Sequence, residues 1–197
     1  MAGQAEALSL TQKMDVEIGV FDAAEIKLTY QANIQQFNIG AEVNTANLFN
    51  TLYPFVGSYH SKGQLVEDKV LPELYQTYTK TRHHVRTKKV LYNSQGVAYK
   101  RISTKDKKQN EKPIVNVPKT ADAADLQSVF ADLLNKFQRT QSCNLTREVY
   151  DGKKHYKVIG KDVGRENRYF DWLKREENAY RCSIYIENLK DNNANIL

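Results

Sequence analysis

Apolar and polar residues alternate without a break through residues 25–34. Ile26, Leu28, Tyr30, Ala32 and Ile34 are apolar, and the residues between them are polar. A period of two puts one face of a strand on a core and the other in water. After Gln35-Gln36 the rhythm resumes with Phe37, Ile39, Ala41 and Val43. The two runs are predicted to pair as a hairpin, although Gln-Gln lacks the usual turn chemistry. One-sided alternation points to antiparallel strands, because parallel strands buried on both faces read as unbroken apolar runs.

Further hairpins are predicted downstream. Residues 90–92 and 97–99 flank Asn93-Ser94-Gln95-Gly96, where Gly96 can supply a positive φ. Residues 148–150 and 156–159 flank Asp151-Gly152, a strong two-residue turn signal. Residues 169–173 and 180–186 read as two more strands. The Lys-rich stretch 103–118, with Pro113 and Pro118 and weak periodicity, reads as an exposed loop.

One segment has helical spacing. Within 123–139, Leu126, Val129, Phe130, Leu133, Leu134 and Phe137 form a single apolar stripe. Thr120 or Asp122 is the expected N-cap; Asp122 and Asp125 suit the positive end of the dipole, Lys136 and Arg139 the other. One stripe buries one face, so the helix is expected on the concave side of the sheet. The predicted fold is mainly β (α+β): a curved antiparallel sheet or half-barrel wrapped around one amphipathic helix. Residues 1–197 are read as a single domain, with 1–15 flexible.

Composition adds that the chain can bury a core. It has 197 residues, 41% hydrophobic and 26% charged, with 12 Tyr against 7 Phe and 1 Trp, which argues against disorder. No apolar run is long enough for a transmembrane helix. Met1-Ala2-Gly3-Gln4 opens neither a basic nor an apolar leader. Either the protein stays in the cytoplasm, or a signal peptide has been removed and Met1 added; the cysteines favour the second.

The net charge of +6 is uneven. Residues 1–50 carry 2 basic and 6 acidic side chains, 51–120 carry 14 and 5, and 121–197 carry 13 and 12. The basic middle, about 80–112, is the case for a polyanion partner, with Tyr75, Tyr78, Tyr92 and Tyr99 near enough in sequence to stack on bases. Solvated strand faces and lysines that protect exposed edges explain the same charge without nucleic acid, and that is the preferred reading.

Catalytic chemistry finds little foothold. Phosphate-cradling, dinucleotide-binding and nucleophile-elbow motifs are absent. Adjacent His83 and His84, read on a strand, point to opposite faces and sit among cations, which disfavours a metal. A hydrolase would need His60 or His155 gathered with carboxylates from distant strands. No cofactor or metal is expected. Cys143 and Cys182, the two cysteines, are either a disulfide or two separate buried thiols.

Several segments together resemble domain-of-unknown-function family 3108, a group of Gram-negative envelope proteins. They are the hairpin from Tyr30 to Val43, a turn at Ser61-Lys62-Gly63 followed by Leu71-Pro72-Glu73-Leu74-Tyr75, and Asp125-Leu126-Gln127-Ser128 opening the helix. Tyr150-Asp151-Gly152-Lys153-Lys154-His155-Tyr156 and Tyr180-Arg181-Cys182 complete the set. The resemblance covers about 18–188. It implies a periplasmic location, a Cys143–Cys182 disulfide and a sheet similar to the half-barrels of lipoprotein carriers. It carries over no functional residue. Family members continue for several more strands, so the chain reads as a shorter variant or a trimmed form.

The expected function is a non-catalytic binding module for an apolar, lipid-like ligand or for an envelope protein partner. Ile26, Leu28, Tyr30, Phe37 and Ile39 are the candidate lining residues, with core packing as the competing role for each. The alternative is a polyanion-binding module on the basic middle region, and a hydrolase is third.

Overall fold

A computed structural model describes residues 8–66, 69–114, 125–150, 155–170 and 174–189. Strands β1 (Leu8–Ile18), β2 (Phe21–Ala32) and β3 (Gln36–Thr45) precede a short helix α1 (Asn47–Leu52). Then come β4 (Phe55–Val66), β5 (Lys69–Thr81), β6 (Val85–Tyr92), β7 (Ala98–Lys105) and β8 (Lys108–Pro113). Helix α2 (Leu126–Thr140) leads to β9 (Leu145–Tyr150), β10 (His155–Phe170) and β11 (Arg175–Asn188). The first eight strands form one antiparallel meander in chain order, and a second sheet has the order β11-β10-β9. The large sheet is curved and open, with β1 and β8 as its edges, so the fold is the expected mainly β (α+β) type.

The turns follow local chemistry. The β2–β3 reversal is made by Asn33, whose side chain accepts from the backbone N–H of Gln35 and Gln36 at 2.8 and 2.7 Å. This is an Asx turn, and it leaves Ile34 exposed at the tip rather than on the apolar face. At β6–β7, Gly96 has φ +74° and Asn93 accepts from the N–H of Gln95 and Val97.

Several expectations are corrected. The stretch read as a loop from Ser103 is a hairpin as far as Pro113, turning at Asp106-Lys107 with φ +48° and +72°; residues 115–118 lie outside the described residues. Its alternation was hidden because both faces are polar there. His83 and His84 sit in the β5–β6 turn, not on a strand. Residues 169 and 170 end the long β10 rather than forming a separate strand, and 171–173 lie outside the described residues. Ser61, Lys62 and Gly63 lie inside β4, not in a turn. Gly63 faces Pro72 at a bulge, where a Cβ would come within 2.1 Å of the Leu71 carbonyl. Residues 8–15, expected to be flexible, form most of β1, paired with β2.

Helix α2 starts at Leu126 and is capped by Asp125, which accepts from the Ser128 N–H at 2.9 Å; Thr120 and Asp122 lie outside the described residues. Its apolar stripe is shared between two sheets. Phe130, Ala131 and Leu134 pack with Leu28, Tyr30, Phe37 and Ile39 of the large sheet. Leu126, Val129 and Leu133 pack with Leu145, Val149 and Val158 of the small one. Phe137 meets the ring of Tyr180 edge-on at 5.1 Å. Cys143 and Cys182 form a disulfide with Cα atoms 6.0 Å apart, within the ordinary span. It fastens the segment after α2 to β11.

Candidate functional site

Strand pairing sorts the inner face of the large sheet, the one that carries α2, into rows. In the first row, Tyr30, Ile39, Ser61, Tyr75 and Val90 lie side by side across β2–β6 and are buried. The helix packs on the Tyr30, Ile39 and Ser61 end of this row, and Ile114 packs against the cluster of Tyr75 and Val90. Two further rows continue along the same face beyond it.

The second row begins Gln12, Leu28, Ala41, Tyr59 on β1–β4 and continues Thr77, Lys88, Ser103, Asn110 on β5–β8. The third begins Met14, Ile26, Val43, Gly57 and continues Thr79, Arg86, Lys105, Lys108. Each row therefore changes character between β4 and β5. Apart from Gln12 on the β1 edge, the β1–β4 half is apolar and mostly half-exposed. Burial raises the Tyr59 hydroxyl pKa above its ordinary value. The β5–β8 half is hydroxyl-bearing and basic, and it encloses a cavity of about 870 Å³ lined by Thr77, Thr79, Arg86, Lys88, Ser103 and Lys105 among others.

At the junction of helix and sheet lies a buried polar cluster. Asp125 accepts from the hydroxyls of Ser128 at 2.7 Å, Ser61 at 3.2 Å and Tyr92 at 3.5 Å. Burial pushes its carboxyl up to about 6, against the hydrogen bonds and Lys88, which pull it down. Lys88 is held at the edge of this cluster, its ammonium 5.0 Å above the Tyr75 ring. On the small-sheet side, Arg147 of β9 pairs with Asp132 at 2.7 Å. Burial raises the Asp132 carboxyl despite Arg147. These groups are enclosed and fix α2 between its sheets.

The five residues predicted as ligand lining occupy two environments. Tyr30, Phe37 and Ile39 are buried in the core under α2; Phe37 also borders a cavity of about 470 Å³ at the β2–β3 end of the sheet. Ile26 and Leu28 are half-buried in the third and second rows, with Leu28 at the border of the core under α2. Sequence reading missed Ala41, Val43 and Tyr59 beside them. The histidines are separate: His84 contacts Asp106 at 2.8 Å and His155 contacts Glu148 at 3.2 Å. Among the described residues no three His, Cys, Asp or Glu side chains gather as a metal site would require. An apolar cavity of about 490 Å³ lies between Leu133, Leu134 and Phe137 of α2 and Ala179–Tyr180 beside the disulfide.

The tyrosines expected to interleave with the basic run do not do so. Tyr75 and Tyr92 are buried, whereas Tyr78 belongs to the outer face and Tyr99 is exposed at the irregularity in the β6–β7 pairing. One signal for the basic half was present in sequence: Arg86 and Lys88 share parity with Val90 and Tyr92, so all four face inward.

The family model described as protein of unknown function (DUF3108) matches residues 13–188. No curated protein and no solved structure matches the chain.

Proposed function

The chain belongs to the DUF3108 family of proteins of unknown function, and from that premise we propose a non-catalytic module that binds an apolar, lipid-like molecule. The ligand lies on the inner face of the large sheet, beyond α2. One observation carries this reading. Leu28, Ala41 and Tyr59, with Ile26 and Val43 in the next row, form an apolar surface continuous over β2–β4 that stays half-exposed. A contiguous apolar surface left open on a folded domain marks a binding site more often than chance. Four strands spaced about 4.8 Å apart give β1–β4 a width of about 14 Å, enough to lay down a medium acyl chain.

The disulfide supports reading the compartment as periplasmic. Cys143–Cys182 suits an oxidising space, and the family resemblance points to the periplasm. No helix among the described residues is long and apolar enough to cross a membrane.

The test uses purified protein and an uncharged apolar fluorophore, N-phenylnaphthylamine. The wild-type chain binds it with a rise in emission. Ala41→Asp, which sets an unpaired carboxylate between Leu28 and Tyr59, weakens binding by on the order of tenfold or more while far-UV circular dichroism is unchanged. Equal binding by the two proteins overturns the proposal.

A further inference from the structure

The basic half of the same face has no role in an apolar site, and its composition is not what a solvated surface would have. The three inner rows contain no Asp or Glu on any of the eight strands. On β6–β8 they carry Arg86, Lys88, Arg101, Lys105, Lys108 and Lys112. The outer face of these strands, in contrast, mixes signs: Lys100 pairs with Glu111 there. One acid does line the cavity: Asp106, in the β7–β8 turn, where the His84 ring and the Val85 N–H engage its carboxylate at 2.8 and 3.0 Å.

Edge protection explains only part of this. Lysines on an exposed edge strand deter pairing with other chains, and Lys108 is on the β8 edge. Arg86 and Lys88 lie on β6 and Arg101 on β7, both paired on two sides. Interior strands need no such protection. Like charges on neighbouring strands also repel, so the direct neighbours Arg86, Lys105 and Lys108 cost stability unless an anion joins them. Thr77, Thr79 and Ser103 add hydroxyl donors among the cations.

The geometry points to recognition of a phosphate-type headgroup: the apolar half takes the chain of an anionic amphiphile, and Arg86, Lys105 and Lys108 take its head. This rests on the apolar reading above and names the ligand class for it. The rows are continuous, so one molecule lying across the strands reaches both halves. Arg forks and Ser/Thr hydroxyls are the donor types that suit phosphate oxygens.

Calorimetry on the full chain separates the elements of the claim, with each amphiphile kept below its micelle concentration. Dodecyl phosphate is expected to bind at least tenfold more tightly than the uncharged dodecyl maltoside, and that advantage shrinks as salt is raised from low to physiological. Inorganic phosphate alone binds far more weakly. Arg86→Gln with Lys108→Gln brings dodecyl phosphate down to the level of the maltoside and leaves N-phenylnaphthylamine binding unchanged. Lys88 is left intact because it borders the buried Asp125 cluster.

Equal affinity for the two amphiphiles overturns the headgroup claim and leaves the apolar site standing. Inorganic phosphate or a short single-stranded oligonucleotide binding as tightly as dodecyl phosphate overturns the amphiphile, since the chain then contributes nothing. Failure of both amphiphiles and of the fluorophore overturns both proposals.

Discussion

At Asp125, one side chain caps α2, receives three hydroxyls and lies wholly inside the protein. Because its folded pKa, about 6, lies above the ordinary 3.8, the folded state holds the proton more tightly. Its charge therefore opposes folding at pH 7, and that penalty fades as pH falls through 6 toward 4. Asp125→Asn keeps an acceptor for the Ser128 N–H and cannot titrate. The stability of this variant relative to the parent is expected to drop by about 2–3 kcal/mol between pH 7 and pH 4. Urea denaturation at the two pH values measures it, and a constant difference would refute the role of the carboxyl. Tyr30 behaves oppositely. Its hydroxyl is buried with no hydrogen-bond partner, and burial and Asp132 push it up to about 12. Tyr30→Phe removes the unpaired group and fills the same space, so it should stabilise by about 1 kcal/mol in the same assay. A loss of stability would mean that the hydroxyl has a partner.

Among the elements, α2 shows best where sequence reading stops. Its stripe from Leu126 to Phe137 was legible, because 3.6-residue periodicity is a local property of the chain. That the stripe would be divided between two sheets was not legible, because Leu126 and Phe130 are equally apolar whichever sheet receives them. The β7–β8 hairpin escaped notice for a related reason. Its alternation is basic against polar, and a hydrophobicity pattern is blind to it. The disulfide acts between elements. It closes a loop of 39 residues, a span worth about 4 kcal/mol if it acts mainly on the unfolded chain. Cys143→Ala with Cys182→Ala is expected to lower stability by that order, with the midpoint of denaturant unfolding as the measure. No change in the midpoint would show that α2 and Arg147–Asp132 hold the small sheet alone.

Across the whole molecule, eight strands give each inner row two chemical halves. Residues from β1 and β8, about a hundred positions apart in the chain, share one row: Gln12 and Asn110, or Met14 and Lys108. The apolar-site and headgroup proposals depend on that continuity, and the fluorophore and dodecyl phosphate titrations probe one half each. The candidate lining drawn from β2 and β3 reached only part of it. Tyr30, Phe37 and Ile39 turned out to lie under the helix, Leu28 borders that core, and Ile26 is half-buried in the row beyond it. Parity assigns a residue to a face. It does not say which length of that face the helix will cover.

The chain by itself determined the β2–β3 and β6–β7 hairpins, the antiparallel pairing, the helix and the inward parity of the alternating apolar residues in β2 and β3, because all of these are periodicities of short segments. Only the tertiary structure decided where α2 crosses the rows, how the second sheet takes its other side, and that apolar and basic halves meet on one surface. Those outcomes depend on register summed over eight strands, and no segment carries that sum.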